Sequence, residues 1–556
     1  MNRIKKGASK DALFRFFSEG VDKLIIAVLL GSICLFVLYP ILKIFSQSLL
    51  VNGMFSLEAY ADVWQGYRQS LWNSLFSSVL TAIFCTILSI AVALVMASSR
   101  GWRKFLLMGI ILITMVSPPF VSSLAYIQLY GRRGWITYRL LGLSWNPYNC
   151  WGVIWMQSIS FVPMNALFLS GILTKMDSAS IRAARDLGAD PKHILLDVVL
   201  PLIRPGILVT LLLTFVRAIA DFGTPTIIGG RFNTLASDIY MQLIGYSNPT
   251  KAAAMNVILL MPTLVAFLAY RMMLEKSDKL TAGRGKQETV DLKLHRCGFT
   301  GIGSLVLSLL FFVMMLLQYG CIFASGFMKV TKGVYSFSLI YVEQLFKYDS
   351  ATIVRSVVYA LIFSLVGTFF AMLFAYYTGR RNVPGRRFFD FLVMTPYMIP
   401  GTCFGIGYIL AFNSQPLKLT GTALIVMACM LFKQLPTTTK LCSAALTQVP
   451  RTLELSVRDL GGGRMAVLRD VILPGMKTAF FTCFTHNFSS SMTTAGAIIF
   501  LINPGKKLLV FNLFDKVYLG EYPMASLIAT LIIVIVLAVE GLVWLISRKE
   551  GKGHVS

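Results

Sequence analysis

Two polar stretches of the chain share charged residues and a glycine at a constant offset of 273 residues. The first stretch contains Arg185, Asp186 and Gly188, and the second contains Arg458-Asp459 and Gly461. Charged side chains beside a glycine that can end a helix form a surface suited to binding a partner protein. The same offset relates further residues outside these stretches, namely Pro163 to Pro436, Asp197 to Asp470 and Gly223 to Gly496. One offset shared by so many special residue types indicates an internal duplication.

The repeated stretch predicts a helix-turn-helix lying along a membrane surface. Residues 177–190 and 450–463 are interpreted as short amphipathic helices ending at glycine, which suits a left-handed C-terminal cap. Pro191 can begin a second short helix because proline is tolerated in the first turn. Pro201 and Pro474 are expected to break the chain before the next apolar segment. Two such loops would offer a symmetric platform to a symmetric soluble partner; an ordinary connection between spans is the alternative.

Arg217 and Asp221 lie four residues apart within an apolar segment. Charges inside a membrane are costly and are usually paired or functional. At this spacing the two side chains share one helix face and can pair with each other. A structural ion pair and a role in lining or gating a pathway both remain open. The second half has Thr493-Thr494 in the corresponding place, so the charge is not duplicated.

Prolines and glycines interrupt two further apolar segments, at Ser117-Pro118-Pro119 and, in the second half, at Thr395-Pro396 and Pro400-Gly401. Such interruptions free backbone groups that must be satisfied inside the protein or by cavity water. Simple helix kinks and pathway-lining residues are both open explanations.

The composition is that of an integral membrane protein. Of the 556 residues, 56% are hydrophobic and 14% are charged, whereas a soluble domain has about 25% charged residues. The net charge of +26 follows from basic loops between spans and does not predict nucleic-acid binding. The nine cysteines are scattered singly, which favours small apolar side chains in helices over a disulfide or metal framework. Basic N-terminal residues between 3 and 15 precede a long span without a cleavage signal.

Twelve membrane spans are predicted. They lie near 24–46, 71–97, 105–127, 150–174, 206–228 and 252–271 in the first half, and near 301–327, 353–378, 389–412, 421–443, 476–501 and 524–547 in the second. A hydrophilic linker, 272–298, separates a first domain (1–271) from a second (299–556). The expected fold is therefore an all-α membrane protein built from two six-helix repeats.

The distribution of Lys and Arg predicts the orientation. With the N-terminus in the cytoplasm, the loops on that side are all basic, and they include the linker and both repeated loops. The opposite loops are mostly poorer in positive charge, with Arg132, Arg133 and Arg139 as exceptions. Six spans per half make the halves parallel repeats about an axis along the membrane normal. Both termini are then cytoplasmic.

The chain lacks the phosphate-binding loop G-x4-G-K-[ST], so it is not expected to bind ATP in that manner. Energy must come from another subunit or from an ion gradient. Four histidines belong to no cluster, so no metal site is predicted. No cofactor is expected in this chain.

The repeated loops resemble the E-A-A-x3-G-x9-I-x-L-P loop of permease subunits of binding-protein-dependent ABC importers. In the first copy Arg182 stands in place of the glutamate, and in the second Glu454 is displaced by one position. The glycine and Leu-Pro anchors keep their spacing. The resemblance covers essentially the whole chain and implies two type I importer permease domains fused head to tail, without enzyme activity of their own, in the bacterial inner membrane.

This resemblance also implies the partners: two ABC ATPase subunits, which would bind ATP and Mg²⁺, an external solute-binding protein, and the lipid bilayer. The residues expected to couple to the ATPases are Ala183, Ala184, Arg185, Asp186, Gly188, Leu200, Pro201, Glu454, Arg458, Asp459, Gly461, Leu473 and Pro474.

The segments 221–225, 396–401 and 491–494 resemble fused permeases for ferric iron and for phosphorylated or phosphonate anions, such as 2-aminoethylphosphonate. Arg132 and Arg133 slightly favour an anion as the cargo, because guanidinium pairs well with phosphate. They could equally dock acidic residues of the binding protein. The expected pathway residues are Pro118, Pro119, Arg217, Asp221, Thr224, Tyr397, Pro400, Met492, Thr493 and Thr494.

Two rival functions are weighed against this one. A twelve-span secondary transporter would be expected to carry coupling carboxylates within its spans, and Asp221 and Glu540 are few for that purpose. A membrane enzyme would need clustered His, Asp or Glu near one interface, and the sequence shows none.

Overall fold

A computed structural model describes residues 20–51, 54–144, 146–176, 178–281, 297–331, 334–381, 383–502 and 504–552. The basic N-terminal residues 3–15 and most of the predicted linker, 282–296, lie outside these ranges. The start of the linker is helical, because the helix that ends the first half continues to Thr281.

The first half consists of helices and one small hairpin. In chain order its elements are α1 (Gly20–Leu49), β1 (Leu50–Val51), β2 (Met54–Phe55), α2 (Glu58–Ser98), α3 (Gly101–Val116), α4 (Phe120–Tyr130), α5 (Cys150–Lys175), α6 (Ser178–Asp186), α7 (Pro191–Ala220), α8 (Gly223–Ile228), α9 (Leu235–Ile244) and α10 (Pro249–Thr281). The strands pair antiparallel. Three π-helical turns occur, Cys34–Leu38 in α1, Trp135–Leu140 after α4 and Ile194–Val199 in α7.

The second half repeats this order. Its elements are α11 (Gly298–Ser325), β3 (Met328–Thr331), β4 (Val334–Phe337), α12 (Ile340–Tyr348), α13 (Ser350–Arg380), α14 (Arg386–Met398), α15 (Gly401–Phe412), α16 (Ala423–Gln448), α17 (Arg451–Asp459), α18 (Arg464–Val467), a π turn (Leu468–Ile472), α19 (Leu473–Gly475), α20 (Lys477–Thr493), a 3-10 turn (Pro504–Lys506), α21 (Leu509–Tyr518) and α22 (Tyr522–Lys552). Strands β3 and β4 also form an antiparallel hairpin.

Equivalent helices in the two halves begin at matching positions and contain a proline at the same offset. The Asn149 side chain accepts a bond of 3.0 Å from the N–H of Gly152 at the start of α5. At the offset of 273, the Thr422 hydroxyl accepts the matching bond at the start of α16. Such caps satisfy N–H groups that lack a partner in the helix. Pro163 and Pro436 lie inside these two helices, so the duplication includes their caps and their internal prolines.

Eight helices of the described residues are long and apolar enough to cross a membrane. Two bent pairs bring the number to as many as ten: α3 meets the helix after it at 106°, and α14 meets α15 at 114°. The spans predicted at 421–443 and 476–501 correspond to α16, with 26 residues, and α20, with 17 residues, and neither is among these helices. These two helices pack against each other and against α13, so much of their surface faces protein. The all-α, two-repeat fold is confirmed.

The two halves interlock through their first helices. In the first half α1 packs on α15 of the second half, where the Tyr408 hydroxyl donates to the carbonyl oxygen of Phe36 over 2.8 Å. In return α11 packs on α2 and α4 of the first half, and the Cys321 thiol donates to Gln128 Oε1 over 3.2 Å. Each first helix therefore lies against the helix that follows the bend in the opposite half.

Candidate functional site

The two repeated loops, called the first loop (177–201) and the second loop (450–474), turn at Gly188 and Gly461. Both glycines have φ of +83°, the left-handed region that favours glycine. Two backbone hydrogen bonds close each turn. They run from Gly188 to Arg185 (3.0 Å) and Ala189 to Ala184 (3.0 Å), and from Gly461 to Arg458 (2.9 Å) and Gly462 to Val457 (2.8 Å). This pair of bonds defines a Schellman motif, so the predicted left-handed caps are confirmed in both halves.

Each turn carries an exposed leucine at its tip. The exposed fraction is 88% for Leu187 and 89% for Leu460. A Cβ atom added to either Gly188 or Gly461 would meet no atom within 4 Å. Both tips therefore stand clear of the other described residues, and each presents an exposed apolar side chain.

The chain leaves the two turns differently. Helix α7 begins at Pro191, as predicted, but the break predicted at Pro201 is wrong, because α7 continues to Ala220. A π-helical turn lies just before Pro201, and in it the N–H of Leu200 bonds the carbonyl of Leu195. In a regular α-helix the proline ring would clash with the carbonyl four residues earlier, and the wider π turn relieves this clash. In the second loop the helix is interrupted close to Pro474, by a single turn residue at Met476.

A buried ion pair holds helix α17 of the second loop. Arg380 Nε lies 3.2 Å from Glu454 Oε1, and the two side chains are only 10% and 8% exposed. The same guanidinium donates to the carbonyl oxygens of Leu446 and Val449, over 2.8 and 2.5 Å. Arg380 thus ties the ends of α13 and α16 to α17. Glu454, expected to couple to an ATPase, instead points into the protein, because this arginine supplies the opposite charge that its burial requires.

A second polar contact links the second loop to the first half. Asp22, near the start of α1, has a side chain only 4% exposed. Its carboxylate accepts a hydrogen bond of 2.6 Å from the Tyr377 hydroxyl and lies 3.1 Å from Arg464 Nη1 in the second loop. The second loop is therefore fixed both within its own half and to the N-terminal helix.

Apolar packing holds the first loop. Ile181 of α6 is 5% exposed and belongs to a buried cluster with Ile194 and Leu195 of α7. Cys297, which precedes α11, is also in this cluster, and burial raises the pKa of its thiol. The next residue, Gly298, lies near the side chain of Lys192. The start of α11 thus contacts the first loop as the start of α1 contacts the second.

The remaining residues expected to couple to ATPases lie on the outside of the loops. Those that are exposed are Ala183, Arg185, Asp186, Gly188, Pro201, Arg458, Asp459, Gly461 and Pro474, and those that are half-buried are Ala184, Leu200 and Leu473. In the second loop the exposed Arg469 bonds its neighbour Asp470 over 2.7 Å, and this hydrogen bond lowers the pKa of Asp470.

Asp221 and Thr494 occupy equivalent places in the two halves. Each follows the last residue of a long helix, with ψ of 111° and 122°, and each is contacted by a glutamine. Gln157 donates to Asp221 over 3.0 Å, and Gln434 donates to Thr494 over 3.4 Å. Asp221 also accepts the N–H groups of Gly223 and Thr224.

The ion pair between Arg217 and Asp221, one of the two alternatives that the sequence leaves open, is absent from the described structure. Helix α7 ends at Ala220, so Asp221 leaves the helical path and the spacing of four residues no longer brings the two side chains together. The Arg217 guanidinium contacts Met164 Sδ at 2.6 Å. Arg217, Asp221, Thr224, Thr493 and Thr494 are all half-buried, whereas Met492 is buried.

Aromatic rings close the space between the halves next to these residues. Phe222 and Phe120 of the first half lie 6.2 and 4.8 Å from Phe514 of the second, measured between ring centroids. The ring centroids of Tyr240, in the first half, and Phe500, in the second, are 6.0 Å apart. A Cβ atom added to Gly496 would stand 3.5 Å from the Phe222 ring. The two repeated segments after Asp221 and Thr494 therefore meet at the interface of the halves.

The proline residues expected along the pathway lie at the two bends. Pro118 is buried and Pro119 exposed at the bend after α3, and Pro400 is buried at the bend between α14 and α15. Beside that second bend, the half-buried Tyr397 stacks on Tyr270 of α10, with centroids 6.1 Å apart. Lys433 of α16 contacts the same bend. Sequence reasoning missed Lys433, although the rule that singled out Arg217, a charge within an apolar segment, applies to it equally.

No three His, Cys, Asp or Glu side chains of the described ranges come together as a group that could hold a metal ion.

Long apolar helices in two parallel repeats, with a matching pair of protruding loops, define the membrane-spanning subunit of a transporter. The chain belongs to the family of binding-protein-dependent transport system inner membrane components, whose model matches it twice, at residues 89–276 and 367–550. Each match includes one repeated loop. The protein is therefore a multi-pass inner membrane protein and the permease subunit of an ABC importer.

Similar proteins include two ferric transport permeases that match nearly the whole chain. The ferric transport system permease protein FbpB of Actinobacillus pleuropneumoniae is 27% identical over 536 residues, covering 93% of this chain and 77% of that protein. The putative ferric transport system permease protein FbpB 1 of Haemophilus influenzae is 29% identical over 514 residues, covering 89% and 80%. The molybdenum transport system permease protein ModB of Mycobacterium tuberculosis is 30% identical over 198 residues, covering 34% and 74%.

Proposed function

We propose that this permease carries ferric iron, delivered by an external binding protein, across the inner membrane. The observation that carries the proposal is the match over 89–93% of the chain to proteins named as ferric transport permeases. The match to the molybdenum permease covers about a third of the chain. The sequence resemblance to phosphonate permeases makes a small anion the competing cargo to be tested beside iron.

We further propose that two ABC ATPase subunits, holding ATP and Mg²⁺, bind the first and second loops. The support is geometric: two tips with the same backbone turn and the same exposed leucine suit two copies of one partner. Leu187 and Leu460 would each enter an apolar cleft, and the exposed Arg185-Asp186 and Arg458-Asp459 pairs would contact its polar rim. ATP hydrolysis then takes place on the partners and not on this chain.

This arrangement fixes the proposed orientation. The two loops and both termini face the cytoplasm, as the basic loops require, and the binding protein docks on the opposite side. The cargo passes between the halves by alternating access, near Asp221 and Thr494. On this proposal, the aromatic contacts of Phe222 and Phe120 with Phe514 are the barrier that must open for the cargo to pass.

Reconstituted vesicles provide the test. The permease, its ATPase and its binding protein are assembled, and ATP-driven uptake is measured for ferric iron and, separately, for 2-aminoethylphosphonate. We expect iron uptake that requires both partners. Leu187→Asp and Leu460→Asp should each weaken ATPase binding, because the charge would be buried in an apolar cleft, while Leu143→Asp, an exposed leucine far from the loops in sequence, serves as the control.

The outcomes separate the parts of the proposal. Uptake of the phosphonate instead of iron would overturn the cargo but leave the loops in place. Normal ATPase binding by the Leu187→Asp, Leu460→Asp double variant would overturn the docking role. Uptake driven by a proton or sodium gradient without ATPase would contradict both.

A further inference from the structure

Lys433 places a positive charge at the bend between α14 and α15. The side chain is surrounded by protein but keeps part of its surface accessible. Its Nζ donates to the backbone carbonyl oxygens of Pro396, over 2.7 Å, and Ile399, over 2.6 Å. The ammonium also lies 5.6 Å from the centroid of the Phe404 ring. No carboxylate of the described residues pairs with it, so its contacts come from the two sides of the bend.

The bend leaves backbone carbonyl groups without partners, which explains the position of this lysine. In an α-helix the N–H of residue 400 would donate to the carbonyl of Pro396, but Pro400 has no N–H. Ile399 follows the last residue of α14, where the chain turns by 114° into α15. Both carbonyls therefore lack partners within the helix, and a cation at a helix C-terminus is favoured by the helix dipole. The Lys433 ammonium supplies the missing donors and interacts with that dipole.

The bend in the first half is held without such a charge. At the offset of 273, the residue equivalent to Lys433 is Ser160, whose hydroxyl donates to the carbonyl of Met156 in its own helix. At the first bend, Ser117 contacts the carbonyl of Pro118 at 3.4 Å. The lysine is thus a feature of the second half alone.

The bend held by Lys433 lies between the first half and the segment after Thr494 of its own half. On one side Tyr397 stacks on Tyr270 of the first half. On the other side α15 lies close to the segment after Thr494: a Cβ atom added to Gly405 would be 2.2 Å from the carbonyl oxygen of Ala497. A change in the bend would therefore shift both walls of the proposed pathway.

Helix α16 connects this bend to the second loop. Lys433 and Gln448, the last residue of α16, are 15 residues apart, about 22 Å along a helix. Arg380 then fixes the end of α16 to α17. The residue after Lys433, Gln434, contacts Thr494. One turn of α16 thus touches both the bend and the Thr494 segment.

We propose that Lys433 is a positioning residue for transport: it holds the bend of α14 and α15 and transmits movement of the second loop to the pathway lining. The inference rests on the proposed coupling role of that loop. In the transport cycle, a displacement of α16 by the ATPase would move the ammonium and, with it, the two carbonyls at the bend.

The test uses the purified complex of permease and ATPase in vesicles, with binding-protein-stimulated ATP hydrolysis and iron uptake as readouts. Lys433→Met, which keeps the length of the side chain but not its donors, should lower uptake by about tenfold or more and bring stimulated hydrolysis down to the basal rate. Lys433→Arg, which keeps a charge and donors, should retain most of the stimulation. Lys104→Met, at a half-buried lysine of helix α3 in the first half, is the matched control for loss of a positive charge and should behave as wild type.

The comparison of Lys433→Met with Lys433→Arg tests the mechanism itself. Normal coupling in Lys433→Met, or no recovery of stimulation in Lys433→Arg, would overturn the inference. If Lys433→Met does not assemble, recovery of assembly and stimulation in Lys433→Arg supports it, and failure of either overturns it. Failure of the proposed coupling role would instead appear in the wild-type complex, as hydrolysis without any response to binding protein.

Discussion

The first and second loops have the same turn at their tips but are held to the protein by different kinds of interaction. Their turns agree in φ, in hydrogen bonds and in the exposure of Leu187 and Leu460. Behind the tips, Ile181 packs in an apolar cluster, whereas Glu454, at the equivalent position, forms a buried ion pair with Arg380. The outward-facing tips of the two loops are therefore alike, whereas the residues that pack against the rest of the protein differ between them.

This difference predicts how each loop responds to change. Apolar packing is non-directional and roughly proportional to buried area, so small changes at Ile181 should cost little. A buried ion pair is sensitive in a different way, because removal of one partner leaves the other charge buried without compensation. The second loop should therefore be the more fragile of the two.

The largest effect is expected from Glu454→Ile, which places the first-half residue in the second loop. Arg380 would keep two carbonyl acceptors but lose its counter-charge, so we expect local destabilisation of about 3 kcal/mol. Hydrogen exchange of the α17 amides, followed by mass spectrometry, should accelerate strongly while that of α6 does not change.

Two further variants sharpen this result. Ile181→Val removes one methyl group at the equivalent position and should cost about 1 kcal/mol in α6. Arg380→Met combined with Glu454→Ile should recover part of the loss, since apolar replacement of both partners avoids an unpaired charge. Equal protection of α17 in wild type and Glu454→Ile would show that the ion pair does not hold the loop.

A smaller effect is expected where the first helices meet the loops. Asp22→Asn removes the charge that faces Arg464 but keeps an acceptor for the Tyr377 hydroxyl. We expect a loss of about 2 kcal/mol, typical of a hydrogen bond to a charged group, seen as faster exchange at residues 464–472. Cys297→Ala is the matched change at the first loop and should affect only residues 191–199. Faster exchange in both loops for either variant would contradict the separate attachment of each loop.

The sequence predicted correctly those features that depend only on neighbouring residues. The caps at Gly188 and Gly461 and the helix start at Pro191 depend on residues within one turn of each other. The contacts that hold the second loop are not local: Asp22 and Arg464 are 442 residues apart. No spacing rule connects such residues before the fold is known.

The Arg217–Asp221 alternative that the structure excludes and the wrong expectation at Pro201 both have local causes that only the structure reveals. The ion pair between Arg217 and Asp221 assumed a helix through both residues, but α7 ends at Ala220. The break at Pro201 assumed regular α-helical bonding ahead of the proline, and a π turn takes its place. Helix ends and π turns are set by tertiary packing as well as by sequence, so a pattern of residue types did not predict them.

The smallest expected effect concerns the feature that the loops share. Gly188→Ala and Gly461→Ala each place a Cβ atom on a backbone with φ of +83°, and neither Cβ meets a neighbour within 4 Å. Each variant should therefore lose only the backbone preference, about 1 kcal/mol, and the two losses should be equal. Hydrogen exchange of the backbone amides at these two positions, compared between each variant and the wild type, measures both losses in one experiment. A clearly larger loss at one glycine would mean that the two tips differ as much as the contacts behind them, and the common docking role proposed for Leu187 and Leu460 would lose its structural basis.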